Sequence, residues 1–230
     1  MCPHCKHTLA WYDLLPVVSW VSLLGRCRYC RQTISVQYPL VELLTAGLFV
    51  LSWILWPDSS SQLFSVVSLT VWLGAVVCFV ALVIYDLKWM LLPNRIVFPL
   101  MAFGLVTAVI TLINSSNIAS TILNMLVAVA VAGGLFYVLF QVSGGTWIGG
   151  GDVKLGFAIG LLLGTPVLAF VMLFLASILG LVASIPAMLS RKKGLSGQIP
   201  FGPFLIVATI TVKLIGIPII GWYTRQFLFM

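Results

Sequence analysis

Two aspartates and four cysteines have the types and spacing for chemistry in this sequence. The chain has only five acidic residues, Asp13, Glu42, Asp58, Asp86 and Asp152. Asp86 and Asp152 lie at the margins of apolar segments, where a charge is costly and needs a reason. Asp152 follows Gly149, Gly150 and Gly151, which let backbones approach closely and permit unusual φ/ψ. It also opens an apolar segment whose helix N-terminus favours an anion. Two carboxylates held close together cannot both ionise cheaply, so they share a proton. The ionised one takes a proton from water, and the other donates to a scissile carbonyl oxygen. That is the arrangement of an aspartic protease. No serine–histidine–acid or cysteine–histidine set competes, because the only two histidines, His4 and His7, lack an obvious nucleophile.

The cysteines form two pairs, Cys2-x2-Cys5 and Cys27-x2-Cys30. Each pair can close on one metal, and the two together supply a tetrahedral thiolate set for zinc. Two disulfides, or four unrelated thiols, are the competing readings, and the compartment decides between them. His4 and His7 are read as surface residues rather than ligands.

These residues must be positioned by a membrane fold. The chain is 61% hydrophobic and only 7% charged, against about 25% charged in a soluble domain. Its mean hydropathy is +1.17. The fold class is therefore all-α and polytopic, with the lipid bilayer as solvent. Residues 1–36 form a small tetracysteine segment, and residues 37–230 the membrane-embedded domain. Seven apolar segments run at roughly 37–57, 63–85, 96–113, 118–141, 153–164, 166–189 and 203–223, and the fifth is short.

The net charge of +7 invites a nucleic-acid partner, but its distribution argues for topology instead. Lys6, Arg26, Arg28, Arg31, Lys88, Arg95, Lys154, Arg191, Lys192 and Lys193 fall on one side of the seven-span arrangement. Arg225 falls on the other, and Lys213 lies within a span. By the positive-inside rule the basic side is cytoplasmic. Both aspartates and all four paired cysteines then share that side, and a reducing compartment favours zinc over disulfides. The basic stretch Ser190–Gly194 reads as a topological anchor. No nucleic-acid partner is expected.

Simpler readings of the acids remain open at this point. Asp86 can be balanced by Lys88 and Asp152 by Lys154. The acids can also line an ion or proton pathway, although both are placed near the interface and not at mid-membrane. Glu42, near the start of the first span, has a weaker case.

The same residues carry a family resemblance. The sequence resembles the bacterial type IV prepilin peptidases, the leader peptidase/N-methyltransferases of pilus, type II secretion and competence systems. The shared elements are Cys-Pro-x-Cys at 2–5, Leu-x-Trp-Tyr-Asp-Leu-Leu-Pro at 9–16 and Gly-Arg-Cys-Arg-x-Cys at 25–30. They continue with Ile-Ser-x-Gln-Tyr-Pro-x-Val-Glu-Leu-Leu-Thr-Ala at 34–46, Asp-Leu at 86–87 and Leu-Pro-Asn at 92–94. Gly-Gly-Gly-Asp-Val-Lys-Leu at 149–155 and Ile-Pro-Phe-Gly-Pro-Phe-Leu at 199–205 complete the set. The Gly-x-Gly-Asp element alone is shared with presenilin-like intramembrane proteases.

The resemblance implies that Asp86 and Asp152 are catalytic and that the tetracysteine segment binds zinc and is associated with methylation. It implies prepilin or pseudopilin substrates in the bacterial inner membrane. Their basic leader is removed after a glycine, and the new N-terminal residue is methylated from S-adenosylmethionine. It also implies a further transmembrane helix before Cys2, which this sequence does not include. Gly149, Gly150 and Gly151 are expected to let the substrate backbone approach. A presenilin-like protease and a carboxylate-lined transporter are the alternatives.

Overall fold

The computed structural model describes residues 1, 2, 4–57, 62–189 and 200–227. The chain divides into two compact units, Met1–Leu51 and Ser52–Met230. The division falls inside a helix, later in the sequence than the 36/37 junction read from composition. The expected anchor at Ser190–Gly194 lies outside the described residues.

The first unit is built on two matching knuckles. In each, the first cysteine N–H donates to the carbonyl five residues on: Cys2 to His7 at 3.1 Å and Cys27 to Gln32 at 2.8 Å. In each, the residue four positions on donates back to that cysteine's carbonyl, Lys6 to Cys2 and Arg31 to Cys27, both at 2.9 Å. Lys6 (φ 55°) and Arg31 (φ 58°) both take left-handed backbone to close the loop. An isolated antiparallel bridge joins Arg26 to Thr33 across the second knuckle.

Asp13 ties the second knuckle to the segment before it. It lies in a single 3₁₀ turn, Trp11–Leu14, and accepts from Ala10 N–H at 3.2 Å. It also accepts from Arg28 Nε at 2.8 Å and Tyr29 Oη at 3.2 Å. Those bonds, Arg28 first, hold its carboxyl below the usual range. A short helix α1 (Val18–Ser22) and most of α2 (Gln37–Ile54), as far as Leu51, complete the unit. Glu42 on α2 accepts from Val17 N–H at 2.7 Å and so fixes the left-handed turn at Val17.

The second unit is helical. It contains α3 (Gln62–Trp89), α4 (Asn94–Ile113) and α5 (Ile118–Val129). The π-helical turn Ala130–Gly134 leads into α6 (Leu135–Ser143). Then come α7 (Gly150–Leu163), α8 (Pro166–Leu189) and α9 (Gly202–Phe227). Among the described residues, six helices are long and apolar enough to cross a membrane. The fifth expected segment is α7, whose 14 residues reach about 21 Å, short of a core of about 30 Å.

Although short, α7 is the centre of the unit. It packs against α4, α5, the π turn, α6, α8 and α9. Val153, Leu155, Ala158, Ile159, Leu162 and Leu163 are all buried. Its glycines make this possible, because apolar helices gain nothing from lipid exclusion and must associate through close backbone packing. A Cβ on Gly156 would overlap Ala132 O and lie 3.0 Å from Gly133 Cα. One on Gly160 would lie 2.6 Å from Val129 Cα and 3.0 Å from Ala128 O. Gly156-x3-Gly160 is thus the seam on which α7 meets α5 and the π turn.

Gly160→Ala is expected to push these backbones apart, costing about 1–3 kcal/mol as overpacking. Thermal unfolding in detergent should show a lowered midpoint. Gly47→Ala is the control, since a methyl added at that exposed glycine would meet nothing within 4 Å, and it should leave the midpoint unchanged or raised.

Candidate functional site

The last turn of α3 carries Asp86 and the first turn of α7 carries Asp152. They converge on the first residue of α9, Gly202. A Cβ on Gly202 would overlap Asp86 Oδ2, with Asp86 Cγ at 3.3 Å and Asp152 Oδ1 at 3.7 Å. Both carboxylates therefore come within 4 Å of one point that only a glycine leaves open. Asp86 is buried, 5% exposed, and Asp152 is half-buried.

No cation among the described residues explains these acids. Among the described residues the one ion pair is Arg28–Asp13. Lys154 Nζ donates instead to Asn94 Oδ1 at 2.9 Å. Lys88 Nζ lies 5.0 Å from the centre of the Trp89 ring. Backbone supplies the positive field. The N-termini of α7 and α9 both point at the pair, and each helix start carries a fraction of a positive charge. That matters most for Asp86, which sits at the negative end of its own helix. The Gly202 N–H lies beside the Asp86 carboxylate, but no described group meets hydrogen-bond geometry at Oδ2, which is buried without a partner.

The three glycines before Asp152 do different things. Gly149 is exposed and extended (φ −73°, ψ 145°) at the start of α7. A Cβ on Gly150 would lie 3.7 Å from the Phe140 ring, in ordinary contact. Gly151 holds the α3–α4 connection close, since a Cβ there would come 2.9 Å from Leu92 Cβ. With Lys154 bound to Asn94, this contact docks Leu92-Pro93-Asn94 beside Asp152.

In the first unit, the Sγ atoms of Cys2, Cys5, Cys27 and Cys30 all lie within 4.8 Å of one another and can hold a metal ion. Cys2 and Cys30 Sγ are 3.9 Å apart, across the knuckles. None of the four is disulfide-bonded. The Cys5 and His4 backbone N–H groups pull the Cys2 thiol down to about 6. The Gln32 N–H favours a Cys30 thiolate, yet desolvation and the neighbouring thiols push that group up to about 11. Four sulfurs this close cannot all ionise without a cation among them. Neither histidine joins the cluster, and His7 stacks against Tyr29 with ring centres 3.8 Å apart. A cavity of about 520 Å³ opens beside the cluster, its walls including Cys2, Trp20, Arg28, Tyr38 and Glu42.

Residues 1–56 match a family model described as the bacterial peptidase A24 N-terminal domain, and residues 72–185 match the type IV leader peptidase family. A relative from Aeromonas hydrophila, named prepilin leader peptidase/N-methyltransferase, is 35% identical over 227 residues, covering 99% of this chain and 75% of its own. The chain belongs to the type IV leader peptidase family. Relatives of the same name from Dickeya chrysanthemi (35% identical; 90% of this chain, 70% of theirs) and Dichelobacter nodosus (32%; 90% and 68%) agree. No solved structure matches the chain.

For a member of the leader peptidase family, the position that sequence reasoning passes over is Gly202. It lies in the Ile199–Leu205 motif, which carries the family resemblance but no chemical signal of its own. A glycine before a proline at the head of an apolar run reads as an ordinary helix start. Only the geometry shows that it faces both carboxylates.

The four-sulfur cluster predicts that elemental analysis of the purified chain returns about one divalent ion per chain. Replacing Cys27 and Cys30 together with serine should remove it.

Proposed function

We propose that Asp86 and Asp152 act together as the aspartate dyad of a prepilin leader peptidase, and that the same chain methylates the amino group it frees. The observation that carries the reading is the convergence of both carboxylates on Gly202. Their places at helix ends, in the last turn of α3 and the first of α7, favour a peptidase at a membrane face over a mid-membrane carrier.

In the proposed reaction the pair holds one proton. The ionised carboxylate accepts a proton from water as the water oxygen attacks the scissile carbonyl carbon. The protonated one donates to the carbonyl oxygen, giving a neutral tetrahedral intermediate. Collapse returns the C=O, breaks the C–N bond and delivers a proton to the leaving nitrogen. The N-termini of α7 and α9 stabilise the negative charge that stays on the pair. The exposed, extended Gly149 is the place for a substrate backbone to approach. The substrate is a type IV prepilin or pseudopilin whose basic leader is cut after a glycine. The distribution of lysine and arginine supports a cytoplasmic placement of both dyad and cysteines.

Zinc is the metal this cysteine set would take. At about 2.3 Å per Zn–S bond a thiolate tetrahedron has edges of about 3.8 Å, and Cys2–Cys30 stands at 3.9 Å. The ion would supply structural closure of the two knuckles. S-adenosylmethionine, the methyl donor, suits the cavity beside the cluster in size. Trp20 and Glu42 in its wall offer a ring face and a carboxylate to a sulfonium cation. Calorimetric titration of the purified protein with S-adenosylmethionine should show saturable binding weakened by Trp20→Ala, and unchanged affinity in that variant would remove the assignment.

Asp86→Asn and Asp152→Asn should each lower cleavage of a prepilin by several orders of magnitude, with the wild-type rate bell-shaped in pH. Gly202→Ala, whose methyl displaces the Asp86 carboxylate, should lower it about 100-fold or more. Leader cleavage by both asparagine variants at the wild-type rate would sink the dyad.

A further inference from the structure

A lysine within a membrane span is as costly as an aspartate, and Lys213 in α9 has no part in the reaction above. Its Nζ donates to Leu162 O at 2.8 Å. Leu162 is in the last turn of α7, the helix too short to cross. A helix leaves its last carbonyls without donors of its own, and inside a bilayer such groups must be satisfied by protein. Gly164, with φ 69°, turns its N–H back to Gly160 O at 3.0 Å. Lys213 supplies the next donor, and its charge matches the negative end of the α7 dipole.

The spacing gives this contact a second consequence. Asp152 and Leu162 are ten residues apart on α7, about 15 Å along the axis. Gly202 and Lys213 are eleven apart on α9, about 16 Å. The two helices run parallel and touch at both places: Gly202 at Asp152 and Asp86 at one end, and Lys213 at Leu162 at the other. Between these two places α7 is gripped through apolar and glycine packing, which is less directional than a hydrogen bond. The Lys213 contact adds a polar point that sets the register of α7 along α9.

We propose that Lys213 is a positioning residue for the peptidase reaction: by capping α7 it fixes the depth of α7 against α9, and so the placement of Asp152 against Gly202 and Asp86. The proposal rests on the dyad reading. Lys213 touches none of the reacting atoms. Its effect falls on the geometry of the carboxylates, hence on the chemical step, and not on the binding of an extended substrate at the membrane face.

The test is steady-state cleavage of a purified prepilin by full-length wild type, Lys213→Met, Lys213→Arg and Asp152→Asn in the same detergent. Lys213→Met keeps the length of the side chain but neither charge nor donor. Its kcat should fall about 10- to 100-fold, as expected for a displacement of around 1 Å, with KM nearly unchanged. Lys213→Arg, which keeps both, should recover most of the lost kcat. A wild-type kcat in Lys213→Met beside an inactive Asp152→Asn overturns this proposal and leaves the dyad standing. Activity in Asp152→Asn as well overturns the dyad. A rise in KM with kcat unchanged, or Lys213→Arg no better than Lys213→Met, also overturns the positioning role. If Lys213→Met does not accumulate in the membrane, Lys213→Gln, which keeps an N–H but no charge, replaces it. A kcat between wild type and Asp152→Asn with unchanged KM is then expected, and a wild-type kcat overturns the proposal.

Discussion

Asp86 and Asp152 meet at Gly202 with no cation in ion-pair reach among the described residues. A buried charge without a counter-ion is tolerated only where fixed dipoles replace the lost hydration. Here the dipoles are two helix starts, those of α7 and α9. A lysine in their place would bind one carboxylate tightly and hold it ionised. Helix N-termini favour negative charge without choosing which oxygen bears it. They leave such a pair free to pass a proton between its members, which is what the proposed acid–base work on a peptide needs. Much of the second unit follows from bringing two helix starts and one helix end to a single point.

That requirement explains why α7 is short and why it is lined with glycine. A helix whose start must sit at the dyad, and which must be gripped on nearly all sides, cannot present an apolar face to lipid along its whole length. It packs instead against six neighbouring elements, and Gly156 and Gly160 let its backbone touch theirs. The π turn at Ala130–Gly134 belongs to the same adjustment. It lies where Gly156 and Phe157 press against the chain, and such irregular backbone is tolerated at membrane depth only where protein covers it. The cost appears at the far end of α7, whose open carbonyls need the donor that Lys213 provides.

The chemistry is legible in the sequence to the extent that it depends on rare residues. With five acids in the chain, two at the edges of apolar runs stand out, and charge sorting puts Asp86 and Asp152 on one expected side, while the fold brings both carboxylates to Gly202. Paired cysteines are legible for the same reason. What they do not reveal is that each pair closes the same loop, with Lys6 and Arg31 in matching left-handed turns, because neither residue type signals that backbone. Gly202 and the Gly156–Gly160 seam are hidden by commonness. Twenty glycines in an apolar chain look alike until one knows which of them lacks room for a methyl. Lys213 is visible but misleading, since counting basic residues for topology makes a lysine within a span an exception to set aside. The fifth apolar segment is recognisably short, but its central position depends on contacts between distant elements that periodicity does not encode.

The two units differ in how they solve stability, and the difference fits the order of the proposed chemistry. A unit of about 50 residues buries too little apolar surface to hold itself together, and a metal held by the four cysteines, which can take one, would replace the core it lacks. The helical unit has bilayer and glycine packing instead. Before cleavage, the nitrogen to be methylated is an amide, whose lone pair is delocalised into the carbonyl and cannot attack a sulfonium methyl group. Cleavage turns it into an α-amine with an ordinary pKa near 8, largely protonated at neutral pH but with a nucleophilic fraction. The peptidase step therefore creates the nucleophile that the transferase step consumes, and methylation cannot run first. A chain that carries both activities gains this ordering from the chemistry of the nitrogen alone, without needing any signal to pass between its units.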